Sequence, residues 1–140
     1  MPDQVERERR RRLLKAHLDA ENAHDLTAIM GTFAQNAEMT FNSIAYRDPE
    51  SIARAHAMFG WAGDGALENA RVFVDSETFT EEEIVIEGRV VGKHVRPLVG
   101  FPPTHNEVTL HYATVYRFDT SDKLVSERIV MNLGPIGESK

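Results

Sequence analysis

The sequence predicts one α+β domain in which helices come first and a long antiparallel sheet follows. Helical spacing dominates as far as Gly60, long alternating β-branched runs take over after Trp61, and the polar links between those runs are too short for crossover helices. At 140 residues, with 41% hydrophobic and 27% charged residues, the chain suits one domain with a sizeable core.

Each element has a local cause. From Val5 to Ala23 apolar residues recur four apart, Leu14 with Leu18 and Leu13 with His17, and charges fill the other faces. Residues 1–12 form the charged start of this helix; Arg7, Arg9, Arg10, Arg11 and Arg12 form a basic run that Glu6 and Glu8 interrupt, and it reads as a solvated face. His24-Asp25 breaks the pattern, and Asp25 caps a second short helix carrying Leu26, Ile29, Met30 and Phe33. Two short strands, Met39 to Phe41 and Ile44 to Tyr46, flank the turn-forming pair Asn42-Ser43. Asp48-Pro49-Glu50 opens a third helix with Ile52, Ala55, His56 and Phe59, and Gly60 ends it. Strands are expected at 67–79, 84–98, 107–118 and 123–133, joined as hairpins through Thr80-Glu81-Glu82 and Thr120-Ser121-Asp122, and residues 134–140 read as a flexible tail.

Composition excludes several functions. There is no cysteine, which removes disulfides, thiolate metal sites and cysteine nucleophiles. The net charge of −6 argues against nucleic acid or an acidic membrane as the main partner. The start has no apolar signal core and no stretch is long enough to span a bilayer, so the expectation is a soluble, cytoplasmic protein. No His-x-His, His-Glu-x-x-His, Gly-x-Gly-x-x-Gly or Walker pattern occurs, and neither a metal nor a cofactor is expected.

The most informative segment runs from Gly92 to Thr104. His94 shares its parity with Ile84, Ile86 and Val90, so a titratable ring should face the apolar side of a strand, while Gly88 and Gly92 on the same parity remove volume where a sheet bends or a ligand approaches. Trp61 and Tyr46 are candidates for a pocket mouth.

These residues carry a resemblance. Gly92-Lys93-His94 followed by Gly100-Phe101-Pro102-Pro103-Thr104, with Tyr116-Arg117-Phe118-Asp119 and Lys123-Leu124-Val125-Ser126-Glu127, resembles the SnoaL-like polyketide cyclases of the nuclear-transport-factor-two-like superfamily. The resemblance covers nearly the whole chain. It implies a cone-shaped domain whose curved sheet encloses a mostly apolar pocket for a small molecule, homodimers through the outer sheet face, and cofactor-independent catalysis by a pocket histidine and aspartate. His94 matches the histidine. The aspartate closes the last strand in the family, four residues after a tryptophan that follows a glutamate; here Glu127 is in register, but Arg128 stands at the tryptophan position and Asn132 at the aspartate position. Asn132 has donors and an acceptor but no acid/base state at neutral pH.

Arg128 has two readings. The family register turns it into the pocket, where a guanidinium would hold a carboxylate or enolate. The pattern points the other way, because Val125, Ile129, Met131 and Leu133 make the opposite face the more apolar one. The functional expectation is an acid/base enzyme of cyclase, isomerase or dehydratase type acting on a small, partly apolar carbonyl compound, with His94 and Asn132 as catalytic groups and Arg128, Trp61 and Tyr46 as substrate contacts. The alternative is a non-catalytic ligand-binding or assembly module that has lost the aspartate.

Overall fold

A computed structural model describes residues 3–137. Helix α1 (Gln4–Asn22) starts where the Asp3 carboxylate accepts the Glu6 N–H, an N-cap that satisfies one of the orphan amides of the first turn. Its inward stripe is Leu14, His17, Ala20 and Glu21, so a histidine and a glutamate one turn apart face the core. Helix α2 (Leu26–Met30) is capped by Asp25 as expected but ends earlier: Phe33 is the first residue of strand β1 (Phe33–Phe41), not the last of a helix. Strand β2 (Ile44–Tyr46) returns along β1, and α3 (Pro49–Phe59) begins with a capping box between Asp48 and Ser51 and stops at Gly60, whose φ of 141° is open to glycine.

Four long strands complete the fold: β3 (Leu67–Phe79), β4 (Glu83–His94), β5 (Glu107–Phe118) and β6 (Leu124–Met131). The order is β2-β1-β6-β5-β4-β3, a six-stranded sheet. The expectation of a wholly antiparallel sheet needs one correction, because β1 lies parallel to β6, Met39 opposite Glu127 and Phe41 opposite Ile129. Strand β1 begins six residues before the expected Met39, because Gln35, Asn36 and Glu38 break the apolar pattern that marks a strand; these polar side chains leave the first half of β1 half solvated. The tail expectation also changes: Gly134–Gly137 forms a short helix, α4, with Ile136 buried, while residues 138–140 lie outside the described residues.

The sheet curls around the helices. Between β3 and β4 the register slips twice, and at Gly88 a side chain would collide with the Phe73 carbonyl oxygen and the Tyr112 hydroxyl. The space freed by Gly88 is therefore filled by the neighbouring strand, which bends into it, and not by a ligand. Along β4, β5 and β6 the inward faces carry Ile84, Ile86, Val90, Val108, Leu110, Tyr112, Tyr116 and Met131, and the helices press Leu14, Ile29, Ile52 and Phe59 against them. No helix among the described residues is long and apolar enough to cross a membrane.

Candidate functional site

Between α1, α3 and the concave face of the sheet lies a cavity of about 120 Å³. A water needs about 10–15 Å³ on this measure, so the space takes a small organic molecule or several waters. Most of its wall is apolar: Leu18, Met39, Phe41, Phe59, Val72, Ile86, Val90, Ile129 and Met131. Met58 and Val99, the exposed members of its lining, mark the mouth. Trp61 lines the wall, stacked on Phe59 with ring centroids 5.4 Å apart, and Tyr46 also borders the space.

The cavity ends on charge. Glu21, His56, Thr114, Tyr116 and Glu127 contribute to the lining, and His17 stands directly behind them. The four ionisable groups come from three elements. His17 and Glu21 share the inner face of α1, and His56 sits one turn after Ile52 on the buried face of α3. Glu127 reaches inward from β6 because the strand slips register between Leu124 and Ser126, so that Leu124 and Glu127 are both buried despite opposite parity. From Glu127 onward the period-two rule resumes with Ile129 and Met131, opposite Thr114 and Tyr112 of β5.

Distances within the cluster are short. His17 Nε2 is 3.2 Å from Glu21 Oε2 and 3.4 Å from Glu127 Oε2, and His56 Nε2 is 3.7 Å from Glu21 Oε2 and 3.6 Å from Glu127 Oε1. The other nitrogens are anchored. His56 Nδ1–H donates to the Ile52 carbonyl at 2.8 Å; His17 Nδ1 lies 2.8 Å from Thr32 Oγ1, whose own proton goes to the Ile29 carbonyl at 2.6 Å. Since a carbonyl only accepts and the Thr32 proton is committed, both imidazoles carry their Nδ1 proton and aim Nε2 at the carboxylates. Among the described residues, His17 Nε2 nonetheless meets no acceptor in hydrogen-bond geometry and Glu127 Oε1 meets no donor.

Electrostatics follow from burial and pairing. Burial opposes charge on His17, but the Glu21 charge and the Glu127 and Glu21 carboxylates outweigh it and raise its pKa to about 10. Burial likewise pushes Glu127 upward, yet His17 wins and holds it below the ordinary carboxylate range. Tyr116, opposite Glu127 across the β5–β6 ladder, is driven well above 10 by burial and by the Glu127 and Glu21 charges, so it stays a neutral donor.

The residues singled out by sequence are scattered. His94 is fully buried on the predicted face, but it lies at the end of β4 beyond the cavity, opposite Leu67. Its Nδ1 accepts the Thr104 N–H at 3.1 Å, while its backbone bonds to Asn106 and His105, so the ring closes the loop after β4. Because Nδ1 accepts, Nε2 holds the proton, and that donor has no partner among the described residues. Burial, more than the opposing Arg96 contact, lowers its pKa.

Arg128 does not turn into the pocket. It is exposed on the outer face with its guanidinium 3.6 Å from Glu83, as the apolar pattern indicated and the family register did not. Asn132 follows β6 on the same outward parity, and its Oδ1 caps the Gly134 N–H at 2.8 Å outside the cavity. Trp61 and Tyr46 do border the cavity. Two signals in the sequence point to the cluster: Glu21 is four residues from His17 on one helix face, and Glu127 is the lone glutamate on the apolar face of the last strand.

With this geometry in place, comparison with known proteins is informative. The sequence profile of the SnoaL-like domain matches residues 14–127. No curated protein matches the chain. A proposed SnoaL-like polyketide cyclase from Jannaschia sp. CCS1 superposes with a TM-score of 0.81 at 18% identity, covering 100% of this chain and 99% of that one. AclR, a proposed hydroxylase from Streptomyces galilaeus, gives 0.74 at 21% identity over 90% of this chain and 80% of that one. A protein of ketosteroid isomerase-like fold from Catenulispora acidiphila, in complex with trimethylamine, gives 0.70 at 17% identity over 89% and 88%. At such identities the structures establish a shared fold, whereas the profile covers most of the chain, and the chain therefore belongs to the SnoaL-like domain family.

Proposed function

We propose that the chain is an acid/base enzyme of the SnoaL-like type that takes a small, largely apolar carbonyl compound into the cavity with its oxygen at the charged end. One observation carries this reading: an apolar cavity with an open mouth terminates on Glu21, His56, Tyr116 and Glu127 where a purely structural core would have placed aliphatic side chains. Trp61 and Tyr46 contact the apolar part of the substrate. Glu127, whose Oε1 is a buried acceptor without a donor, takes a proton from the carbon next to the carbonyl. The C–H electron pair moves into the new carbon–carbon double bond, and the carbonyl electron pair moves onto oxygen. That oxygen becomes an enolate held by the Tyr116 hydroxyl. Returning the proton from Glu127 to another carbon gives isomerisation; attack of the enolate carbon on a second carbonyl, with that proton passed to the new alkoxide, gives cyclisation; and expulsion of a β-hydroxyl, which takes that proton and leaves as water, gives dehydration.

His94 and Asn132 have no catalytic role in this reading. The test is exchange of α-protons of small ketones in D2O, followed by NMR. The parent chain accelerates exchange, and Glu127→Gln removes at least about a hundredfold of that acceleration. A folded Glu127→Gln chain that exchanges within a few-fold of the parent overturns the proposal.

A further inference from the structure

We infer that His17, Glu21, His56 and Glu127 form a binding site for one divalent transition-metal ion of the zinc type. The inference goes beyond the proposed acid/base reading and does not depend on it.

The donor set is the first argument. One ligand atom from each of the four residues can be chosen so that all lie within 4.8 Å of one another, and all four residues are buried. Two imidazole nitrogens and two carboxylates suit zinc and its neighbours, and isolated carboxylates rarely survive burial without a cation to share. The spacing is the second. With metal–nitrogen and metal–oxygen bonds of about 2.0–2.2 Å, the edges of a tetrahedral site are about 3.3–3.5 Å. The nitrogen-to-oxygen separations run from 3.2 to 3.7 Å, the two histidines facing different oxygens of Glu127, and the set as a whole spreads to 4.8 Å, so an ion at the centre draws the widest pair together by about 1 Å.

Orientation is the third argument. Both imidazoles spend Nδ1–H on fixed acceptors, Thr32 Oγ1 and the Ile52 carbonyl, which is how histidine ligands are commonly held with Nε2 toward a metal. His17 Nε2, fully buried, points at the carboxylates without hydrogen-bond geometry to either, and Glu127 Oε1 is left without a donor. A network built only to share protons would align those atoms; one built around a central ion leaves them as they are. Glu21, His56 and Glu127 also line the cavity, which gives an ion a way in and a bound molecule a way to reach it. A metal there would engage the Glu127 carboxylate and polarise a carbonyl oxygen itself, so the proton transfer proposed for Glu127 belongs to the metal-free chain.

The experiment uses the full chain without a polyhistidine tag, stripped with chelator and dialysed. It is titrated with Zn2+ by calorimetry and with Co2+ by visible absorption. The expected result is one equivalent of zinc bound at micromolar affinity or tighter, and cobalt d–d bands of the intensity that tetrahedral sites give. His17→Gln and Glu21→Gln should each weaken binding by at least about a hundredfold, and Thr32→Val, which removes the anchor behind His17, by about tenfold. Circular dichroism checks that each variant is folded. No stoichiometric zinc in the parent overturns the inference, as does binding retained in folded His17→Gln, which would place the ion on surface histidines. Because no substrate is involved, failure here leaves the exchange assay to judge the proposed function separately.

Discussion

Two regions of this molecule bury histidine, and they do opposite things with it. At the end of β4, His94 lies buried opposite Leu67, accepts one backbone N–H and is kept neutral. In the centre, His17 stands between two carboxylates and is kept charged, with His56 beside it. The first region is announced by a contiguous motif and closes a loop. The second is assembled from α1, α3 and β6, and it is the one that borders the cavity. A histidine within a recognisable motif is therefore a guide to fold and lineage, while the charged end of the cavity is located by what shares the ring's surroundings.

The contrast can be broken by substitution. The largest effect is expected at Glu127: Glu127→Ala leaves the His17 charge with half its compensation and should lower stability by about 3–5 kcal/mol, read from urea unfolding. His94→Ala removes a fully buried ring and a loop-closing hydrogen bond and should cost about 2–4 kcal/mol in the same experiment while the central cluster stays intact. If His94→Ala is neutral, the loop is held by other contacts and the structural role assigned to the ring is wrong.

The two histidines also predict opposite pH limits. The groups facing His17 are Glu21 on its own helix, His56 from α3, Tyr116 from β5 and Glu127 from β6. Its folded pKa of about 10 exceeds the free value of 6.5, so in chelator its contribution is complete below about pH 6.5 and fades as pH rises through 10. His94 has a folded pKa below 6.5, so its contribution is complete above that value and is lost as pH falls through the folded pKa. Unfolding midpoints measured from pH 5 to 10 should thus decline at both ends. His17→Gln should flatten the alkaline limb and His94→Gln the acid limb; a variant that flattens the other limb contradicts the assignment.

The smallest effects sharpen the comparison from outside the cavity. Arg128→Ala should change stability by no more than about 0.5 kcal/mol and leave α-proton exchange unaltered, since the side chain is exposed. Asn132→Asp should create no new activity, because the side chain caps α4 outside the cavity.

Much of the fold was legible in local pattern. Asp25 caps the second helix, Asp48 opens the third and Gly60 ends it, and the apolar alternation of β4 placed Ile84, Ile86 and Val90 inward. What escaped depends on distant neighbours. The first half of β1 is a strand because β6 pairs with it in parallel, which no local signal states. Glu127 is buried because of a slip in β6 and a cation waiting across the core. The face of Arg128 was stated correctly by apolar periodicity and wrongly by the family register, and the hydrophobic pattern prevailed because burying Ile129 and Met131 outweighs any gain from an unpaired inward guanidinium. The His17-Glu21 spacing was visible, but α1 carries so many charges that only burial separates that pair from a solvated one.

We propose that the reactive end of the cavity lies at Glu127 and not at His94. The direct measurement compares Glu127→Gln with His94→Gln in the α-proton exchange assay, both variants confirmed folded at the assay temperature. The account predicts a loss of at least about a hundredfold for Glu127→Gln and a change within a few-fold for His94→Gln; a hundredfold loss in His94→Gln with Glu127→Gln near the parent would contradict it.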